Sequence, residues 1–449
     1  MMNRARFGAF LAGWTLAAAC GALHAQTPEG GETVAGEEAP ATSPPLIDAP
    51  NVQFSGFGTL GAVYTDDSKV RFIRPSTNHP GKENPDFGAD SLLGAQANIT
   101  LGPHSALVLQ AVSREDALGS YKPRASLAFL SWAFTPNVTV RAGRVRTPFF
   151  MLSETIDINY SNPWIRPPTE VYSMFPFKEL DGVDLLVSGS LGGFDVEFHP
   201  YFGSSNLSIY QSGRGKLRNV RGANISATRG HLTMFFGHGE ADFSLKWKGE
   251  DFRLLASNLR RTLFPGGPPL VVNGEDILRD LSGNDGEGDF SVAGVQWDDG
   301  KWLFIGEYNK LRANRYAHHA HAWELTAGRR FGDFMPYVMV AGHSEDRPIT
   351  SQRVQLAVPV PGAAEQLNAG LDSFLASRNL SQKSATLGLR WDFFRNTALK
   401  LEFTHARISN RSWGSFYPKE LSFDDTSKLD KLMWKRSVNT IGVSVDVTF

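Results

Sequence analysis

Residues 438–449 read Val-Asn-Thr-Ile-Gly-Val-Ser-Val-Asp-Val-Thr-Phe, and the sequence stops on this stretch. From residue 441 onward one set of alternate positions is apolar: Ile441, Val443, Val445, Val447 and Phe449. The other set is small or polar: Thr440, Gly442, Ser444, Asp446 and Thr448. Because successive side chains of a strand point to opposite faces, this pattern predicts a β-strand with one apolar and one polar face.

The same two-faced pattern recurs along the chain from residue 52 onward. Short turn sequences separate some of these stretches, at 102–104, 135–137, 191–193, 298–300, 332–333 and 395–397. Long polar connections separate the others, at 65–90, 146–178, 204–220, 246–288, 343–382 and 410–435. Short and long connections alternate, as they do in membrane barrels, where short turns lie at one end and longer loops at the other.

Aromatic residues flank the short turns, and the clearest examples are Phe134, Trp297, Trp302, Phe331, Phe334, Phe393 and Phe394. Rings in this position are typical of the aromatic girdles at membrane interfaces, and hydrophobic core at strand ends is the alternative. The number of stretches predicts about sixteen strands over residues 52–449, closed into a transmembrane antiparallel up-and-down β-barrel. A barrel of that size is expected to enclose an aqueous channel, not a packed core.

Composition restricts the remaining choices. The chain has 449 residues and a formal net charge of −1, which argues against a nucleic-acid partner. Residues 1–25 predict a signal peptide, with Arg4 and Arg6 before an apolar region and a cleavage site at Leu23-His24-Ala25. Residues 26–51 predict a disordered periplasmic linker. No later stretch is apolar for long enough to form a transmembrane helix.

Three sequence runs carry a resemblance to a known family: Gly143-Arg144-Val145-Arg146-Thr147-Pro148, residues 160–172 with Pro163-Trp164-Ile165-Arg166-Pro167-Pro168, and Leu180-Asp181-Gly182-Val183-Asp184. Together with the terminal Phe449 they make the chain similar to the sixteen-stranded general porins of Gram-negative bacteria. The resemblance implies an outer-membrane homotrimer, a passive channel for small hydrophilic solutes, and an inward-folded loop after the fifth barrel strand. It also implies that Phe449 is an assembly signal.

The long connection 146–178 is the candidate constriction. It contains many apolar residues, so it must pack against something, and four prolines stiffen it. Its charged residues lean acidic, and the strands beside it carry arginines. We therefore expect a pore constriction formed by Glu154, Asp157, Arg166 and Glu170 of the loop and by Arg114, Arg141 and Arg144 of the wall. Such charges set up a transverse field, or they pair and only hold the loop in place.

Further charged residues fall on the predicted inward face and suggest a wetted lumen wall: Asp195, Glu197, His199, Arg390, Lys400, Glu402 and Asp446. Alternate positions such as 195, 197 and 199 also suit metal ligands, but solvated lining is the preferred interpretation. His318, His319 and His321 lie near an outer loop, where adventitious metal binding is conceivable. We predict no structural metal site and no cofactor.

Two other functions stay open. The sequence has no Gly-x-Ser-x-Gly, His-Glu-x-x-His, phosphate-loop or dinucleotide motif, but a Ser–His hydrolase facing lipid, with His405 as a candidate, is an alternative. A structural or adhesive barrel with a plugged lumen is the more serious one. The expected partners are outer-membrane lipids and lipopolysaccharide, for which Arg214, Lys216, Arg218 and Arg221 form a basic run.

Overall fold

The structure, a computed structural model, describes residues 51–74, 79–81, 83–210, 213–419 and 436–449. The predicted signal peptide and all but the last residue of the predicted linker lie outside these ranges. Strands in the described part are β1 (Asn51–Thr65), β2 (Val70–Phe72), β3 (Leu92–Gly102), β4 (Ser105–Arg114), β5 (Arg124–Thr135), β6 (Val138–Arg146), β7 (Glu179–Leu191), β8 (Phe194–Ile209), β9 (Gly213–Arg229), β10 (Leu232–Trp247), β11 (Gly283–Asp298), β12 (Trp302–Ala313), β13 (His319–Arg329), β14 (Phe334–Arg347), β15 (Gln382–Phe394), β16 (Thr397–Ile408), β17 (Phe416–Pro418) and β18 (Arg436–Thr448).

Within the described residues, sixteen of these strands close into one antiparallel barrel in the order β1-β18-β16-β15-β14-β13-β12-β11-β10-β9-β8-β7-β6-β5-β4-β3. The other two, β2 and β17, pair with each other. The helices of the described part are α1 (Thr169–Tyr172), α2 (Glu250–Leu259), α3 (Gly274–Leu281) and α4 (Ala363–Ala376). No helix in the described ranges is long and apolar enough to cross a membrane. The predicted fold class is confirmed.

The last strand closes the barrel against the first. Leu60 lies opposite Val445, and the terminal Phe449 donates its N–H to the Gly56 carbonyl at 2.9 Å and accepts from the Gly56 N–H at 2.7 Å. The Phe449 ring covers Gly56 so closely that a Cβ there would lie 2.3 Å from Phe449 Cζ. A larger residue at position 56 would displace the ring, which lies on the outer face with 70% of the residue exposed.

The two faces of the strands separate as the alternation predicts. Along β18, Ile441, Val443 and Val445 are exposed on the outside, while Ser444 and Asp446 are buried inside. Phe57 is the break in the pattern of β1. It points inward, where Leu92, Val112 and Ile158 surround it, because a single ring can be buried inside a barrel only where another element fills the lumen.

The predicted aromatic rings gather at the end with the short turns. Trp302 and Phe304 stack with their centroids 5.9 Å apart, and Phe334 and Trp391 stack at 5.4 Å, all exposed on the outer face. Gly192 and Gly193 form one of the predicted turns with positive φ angles of 59° and 79°, a conformation that glycine adopts without strain. The structure adds one short turn, between β9 and β10, that the sequence reading missed.

One predicted connection is wrong. Residues 204–220 do not form a long loop, because β8 and β9 continue as a paired hairpin up to Ile209 and Gly213. Leu207 and Leu217 point into the barrel and pack against its apolar core, while the intervening polar residues point outward. The glycine- and arginine-rich composition of residues 213–218 resembles that of a loop, but the outward face of a strand can be fully polar where it is exposed.

The lumen also differs from the expected aqueous channel. A large apolar cluster lies inside the barrel and includes Phe149 and Phe150 from the connection after β6 and Phe243 and Phe290 from the wall. The helices of the other long loops extend this cluster, and Phe374 of α4 lies 5.9 Å from Trp247 at the end of β10. The core of the molecule therefore lies inside the barrel.

Candidate functional site

The connection after β6 forms an inner loop, residues 147–178, inside the barrel. Its short helical segments are Ser153–Thr155, Asn159–Ser161 and α1. Trp164 and Ile165, in the middle of the loop, are completely buried. An irregular segment this apolar is stable only when it buries its rings, and the inside of the barrel wall provides that contact.

One side of the inner loop is held by charged residues of β15, β16 and β18, which we call the anchoring wall: Arg390, Lys400, Glu402 and Asp446. Lys400 Nζ donates to the carbonyls of Asn159 at 2.7 Å and Trp164 at 2.8 Å. It also forms an ion pair with Asp446 Oδ2 at 2.7 Å. Glu402 accepts the N–H of Ile165 at 2.9 Å.

These four residues face inward, as the sequence predicts, but they do not form a wetted lining. Lys400 and Asp446 are fully buried and Arg390 is 1% exposed, because the loop covers them. Arg390 donates to the loop carbonyls of Tyr160 and Asn162. The wall thus supplies the hydrogen-bond donors that an irregular loop backbone needs away from water.

Asp157 anchors the other end of the loop. Its carboxylate lies 2.7 Å from Arg114, 3.1 Å from Lys178 and 3.0 Å from Arg146, and it is 1% exposed. Burial alone would raise the pKa of Asp157, but the three cations hold it well below its ordinary range. The same crowding acts on Lys178, whose pKa is lowered to about 7 by burial and by Arg114.

Arg166 and Glu170 of the loop are also bound to fixed partners. Arg166 donates from Nε to Asp90 at 2.6 Å and lies 3.7 Å from Glu402. Glu170 accepts from Gln382 at 2.8 Å. Both are buried, so their charges position the loop. Asp90 is a residue that sequence reasoning missed, and nothing in its own segment distinguishes it from other polar loop residues.

Glu154 is the exception among the predicted constriction acids. Its side chain is 48% exposed, and its Oε1 lies 3.6 Å from Arg141 Nη2. Arg141 is held by Asp184, to which it donates from Nε at 2.9 Å and from Nη2 at 2.6 Å. Asp184 was not predicted as a site residue, although it lies in one of the runs that carry the porin resemblance.

His199 and Glu197 continue this group of charges. His199 Nε2 lies 2.9 Å from Asp184 Oδ2, and Glu197 lies two residues before His199 on the same inward face, partly exposed. Asp195, next on that face towards the short turn, is exposed and accepts from the Ser190 hydroxyl at 3.0 Å. All three predicted residues of β8 therefore face the lumen.

Arg144 is placed differently from the prediction. It pairs in register with Ala128 and Asp181, on the face that carries the exposed Leu130 and Val183. Its guanidinium binds Asp181 at 2.7 Å on the outside of the barrel. An odd sequence separation from Arg141 reverses the face on a regular strand, so Arg144 does not contribute to the constriction.

The histidines do not form a metal centre in the described part of the chain, where no group of three potential ligands is found. His318 contacts Glu345 and His321 lies 2.7 Å from Asp346. His405 faces outward, as predicted, but its described partners are Asn439 at 2.7 Å and Arg407 at 3.4 Å. No serine hydroxyl is among the described hydrogen-bond partners of this histidine.

No protein-family model and no curated protein sequence matches the chain. Solved structures do. The anion-selective porin from Comamonas acidovorans is 11% identical, with a TM-score of 0.50 over 89% of this chain and 100% of that chain. The Salmonella typhi OmpF complex with daunomycin is 8% identical, with a TM-score of 0.50 over 89% and 97%. The outer membrane channel DcaP of Acinetobacter baumannii is 12% identical, with a TM-score of 0.48 over 89% and 97%.

At these identities the similarity concerns the fold. The first two structures share the closed barrel architecture found here, and the resemblance to general porins drawn from the sequence is confirmed at that level. The chain has the fold of the sixteen-stranded porins.

Proposed function

We propose that the chain is an outer-membrane porin through which small hydrophilic solutes and ions diffuse passively. The porin fold supports this, and so does an uneven lumen. The anchoring wall is dry. Opposite it, the inward faces of β3 to β9 carry polar residues that are partly exposed towards the short-turn end, which we call the polar wall: Gln96, Asn98, Ser131, Thr139, Ser188, Glu197 and Ser226.

The observation that carries the proposal is the exposure of Glu154. The inner loop buries its other acids, yet it leaves this carboxylate half exposed beside Arg141 on the polar wall. A loop that only closed the barrel would not need an exposed charge at its contact with the barrel wall. A channel needs one, because a fixed charge beside a narrow aqueous passage orients dipolar solutes and sorts ions.

In this mechanism water and solutes pass along the polar wall, beside the contact of Glu154 with Arg141. Glu154 and Glu197 attract cations, whereas Arg141, buried against Asp184, holds the Glu154 carboxylate in position. The solute binds weakly at successive positions and leaves along its concentration gradient. No cofactor takes part. The rest of the inner loop only keeps Glu154 in position.

The assembly and the partners are part of the same proposal. Apolar residues such as Leu401 and Phe403 form an outward band suited to membrane lipid. The outward arginines and lysine of β9 are placed to bind lipopolysaccharide phosphates, and Arg221 already pairs with Glu240 at 3.0 Å. A homotrimer is the expected oligomer, and Phe449 is the expected assembly signal.

Reconstitution into planar bilayers tests the function. We expect ohmic single-channel conductance in KCl and a reversal potential under a salt gradient that shifts towards anions in Glu154→Gln, because a negative charge leaves the passage. Glu365→Gln, on the exposed start of α4, is the control and should leave the reversal potential unchanged. A protein that inserts but conducts nothing would be a plugged structural barrel, and serine-dependent ester cleavage would indicate the hydrolase.

A further inference from the structure

An apolar cavity lies at the long-loop end of the barrel, between the inner loop and the wall formed by β8 to β13. Its volume is about 170 Å³. The sheet of β2 and β17 closes part of its outer side through Phe416 and its neighbours. We call it the mouth cavity. A cavity of about 150 Å³ lined by aliphatic and aromatic side chains stays dry and holds a benzene molecule, so this one has room for a single aromatic ring.

The lining favours a flat ring. Phe175 of the inner loop and Phe290 of β11 are stacked at 5.5 Å with an angle of 15° between their planes. Phe149 packs against Phe175 at 5.0 Å. All three line the mouth cavity. Offset and edge contacts between aromatic rings are favourable beyond the burial of apolar area.

Three buried N–H groups of the lining have no hydrogen-bond acceptor within the described residues: Trp247 Nε1, Trp413 Nε1 and Arg378 Nε. Trp247 is 8% exposed, Trp413 is 5% exposed and the Arg378 side chain is 9% exposed. Buried donors in proteins are nearly always satisfied, because an unsatisfied one costs free energy. Since all three are donors, the matching group must be an acceptor.

The charge of Arg378 indicates which kind of acceptor fits best. Its Nη2 binds Asp251 at 2.9 Å and its guanidinium lies over the Trp247 and Phe374 rings at 4.2 and 3.5 Å. The guanidinium is therefore fixed, with its Nε–H still available. A carboxylate has two oxygens that accept several hydrogen bonds, and bonds from a cationic donor are the stronger kind.

We propose that the mouth cavity binds small aromatic carboxylates, with the ring among Phe149, Phe175 and Phe290 and the carboxylate accepting from Trp247, Trp413 and Arg378. This inference rests on the proposed channel function, which it deepens: aromatic acids are captured at the outer mouth before they pass the polar wall. Neither the fold nor the resemblance to general porins implies such a site.

Benzoate binding to the full-length protein in detergent micelles tests the proposal. Calorimetric titration should give saturable 1:1 binding for benzoate. Benzyl alcohol, which lacks the carboxylate, and acetate, which lacks the ring, should each bind at least about tenfold more weakly. This difference corresponds to the loss of one charge-assisted hydrogen bond or of one ring contact. Tryptophan fluorescence should change with the same midpoint. Equal affinity for benzoate and benzyl alcohol would remove the carboxylate from the proposal.

Substitutions in the lining test whether benzoate binds in the mouth cavity. Trp413→Phe and Trp247→Phe keep the ring and lose the N–H, so each should weaken benzoate binding about three- to tenfold. Trp302→Phe, at the short-turn end, is the matched control and should leave it unchanged. Ala320→Phe, a buried position in the lining, should abolish binding by filling the cavity. Unaltered binding in both Trp247→Phe and Trp413→Phe would overturn the site even if Ala320→Phe fails to fold.

Conductance of the same preparation separates the two proposals. If the protein conducts KCl but benzoate does not bind, the cavity proposal is wrong and the porin function stands. If benzoate binds in the cavity but no current flows, the capture site exists without a channel and the porin function is wrong.

Discussion

Glu154 and Asp157 are two acids of the inner loop, three residues apart, with opposite surroundings. Asp157 is buried among Arg114, Arg146 and Lys178, whereas half of the Glu154 side chain is exposed. The same residue type therefore anchors the loop at one position and remains accessible to ions at the other. Local sequence does not distinguish them, because both lie in the same short stretch, residues 153–158, among apolar and small polar residues.

We predict that Asp157→Asn destabilises the protein and Glu154→Gln does not. Removing the shared carboxylate leaves buried Arg146 and the partly buried Arg114 and Lys178 without their counter-charge. Such a change costs roughly 3–5 kcal/mol in fully buried pairs, which is the upper limit expected for this site. The measurement is urea unfolding in detergent. Equal stability of the two variants would contradict the anchoring role of Asp157.

The pH dependence of selectivity follows from Lys178, whose pKa is lowered to about 7. As pH rises through 7, Lys178 loses its charge in the native protein, so one positive charge is lost beside Asp157 at the end of the inner loop. The reversal potential should shift towards cations between pH 6 and pH 8.5. Lys178→Met should lack this shift, and a wild-type protein with a flat profile over that range would refute the assignment.

The pKa of Lys178 also affects stability. Its unfolded pKa of about 10.4 is higher than its native value, so the unfolded chain binds more protons between pH 7 and 10. Stability should therefore rise with pH across that window. The low pKa of Asp157 acts in a different range: its contribution is present above its ordinary pKa and is lost only in stronger acid.

At the scale of the element, the inner loop and the anchoring wall supply each other's hydrogen-bond partners. The irregular loop backbone offers carbonyls at Asn159, Tyr160, Asn162 and Trp164, and buried Lys400 and Arg390 donate to them. Charged side chains in a dry interior are stable only with such partners. The sequence predicts that the residues of the anchoring wall line a wetted lumen, because the alternation of side chains shows which face they lie on. The alternation does not show that the inner loop covers that face.

Lys400→Met should release part of the inner loop. The substitution removes the donors to Asn159 and Trp164 and leaves Asp446 with the Thr59 hydroxyl, 2.7 Å away, as its closest described partner. We expect larger and noisier single-channel conductance. Lys383→Met, an exposed lysine on the outward face of β15, is the control, and its conductance should match the wild type. Identical traces from both variants would show that the loop does not depend on this contact.

At the scale of the whole molecule, the barrel separates an apolar outer surface from a largely filled interior. Neighbouring residues on one strand then differ in their tolerance of charge. Ile225 of β9 is 41% exposed on the outside, near the middle of the span from the short turn, and Ser226 faces the polar wall opposite Glu197. This pair measures whether the outer face lies in lipid and the inner face in water.

Ile225→Arg should cost roughly 2–4 kcal/mol of folding free energy in lipid vesicles, the range for an arginine at the bilayer midplane. Ser226→Arg should cost little, because the guanidinium reaches water and Glu197. Denaturant titration of folding into vesicles gives both values. Comparable losses at the two positions would mean that the interior beside β9 is packed and dry, and the polar passage would have to be abandoned.

The amino-acid sequence alone predicts the barrel, the face on which most strand residues lie, and most of the short turns. These features depend on local chemistry: side chains alternate with a period of two, and glycines permit positive φ angles at the tight turns. The outward row of Ile441, Val443 and Val445 could therefore be predicted from residues close together in the chain, and the resemblance to general porins implied the inward-folding loop after β6.

Which charged side chains are buried depends on the tertiary structure. The contacts of Lys400 with Trp164, of Arg166 with Asp90 and of Asp157 with Arg114 join residues far apart in sequence, and no local pattern encodes them. The same is true of the extended hairpin of β8 and β9, of the outward position of Arg144 and of the mouth cavity. The reason is physical: desolvation of a group depends on everything that packs around it, and inside this barrel the surroundings come from a loop folded back across the lumen.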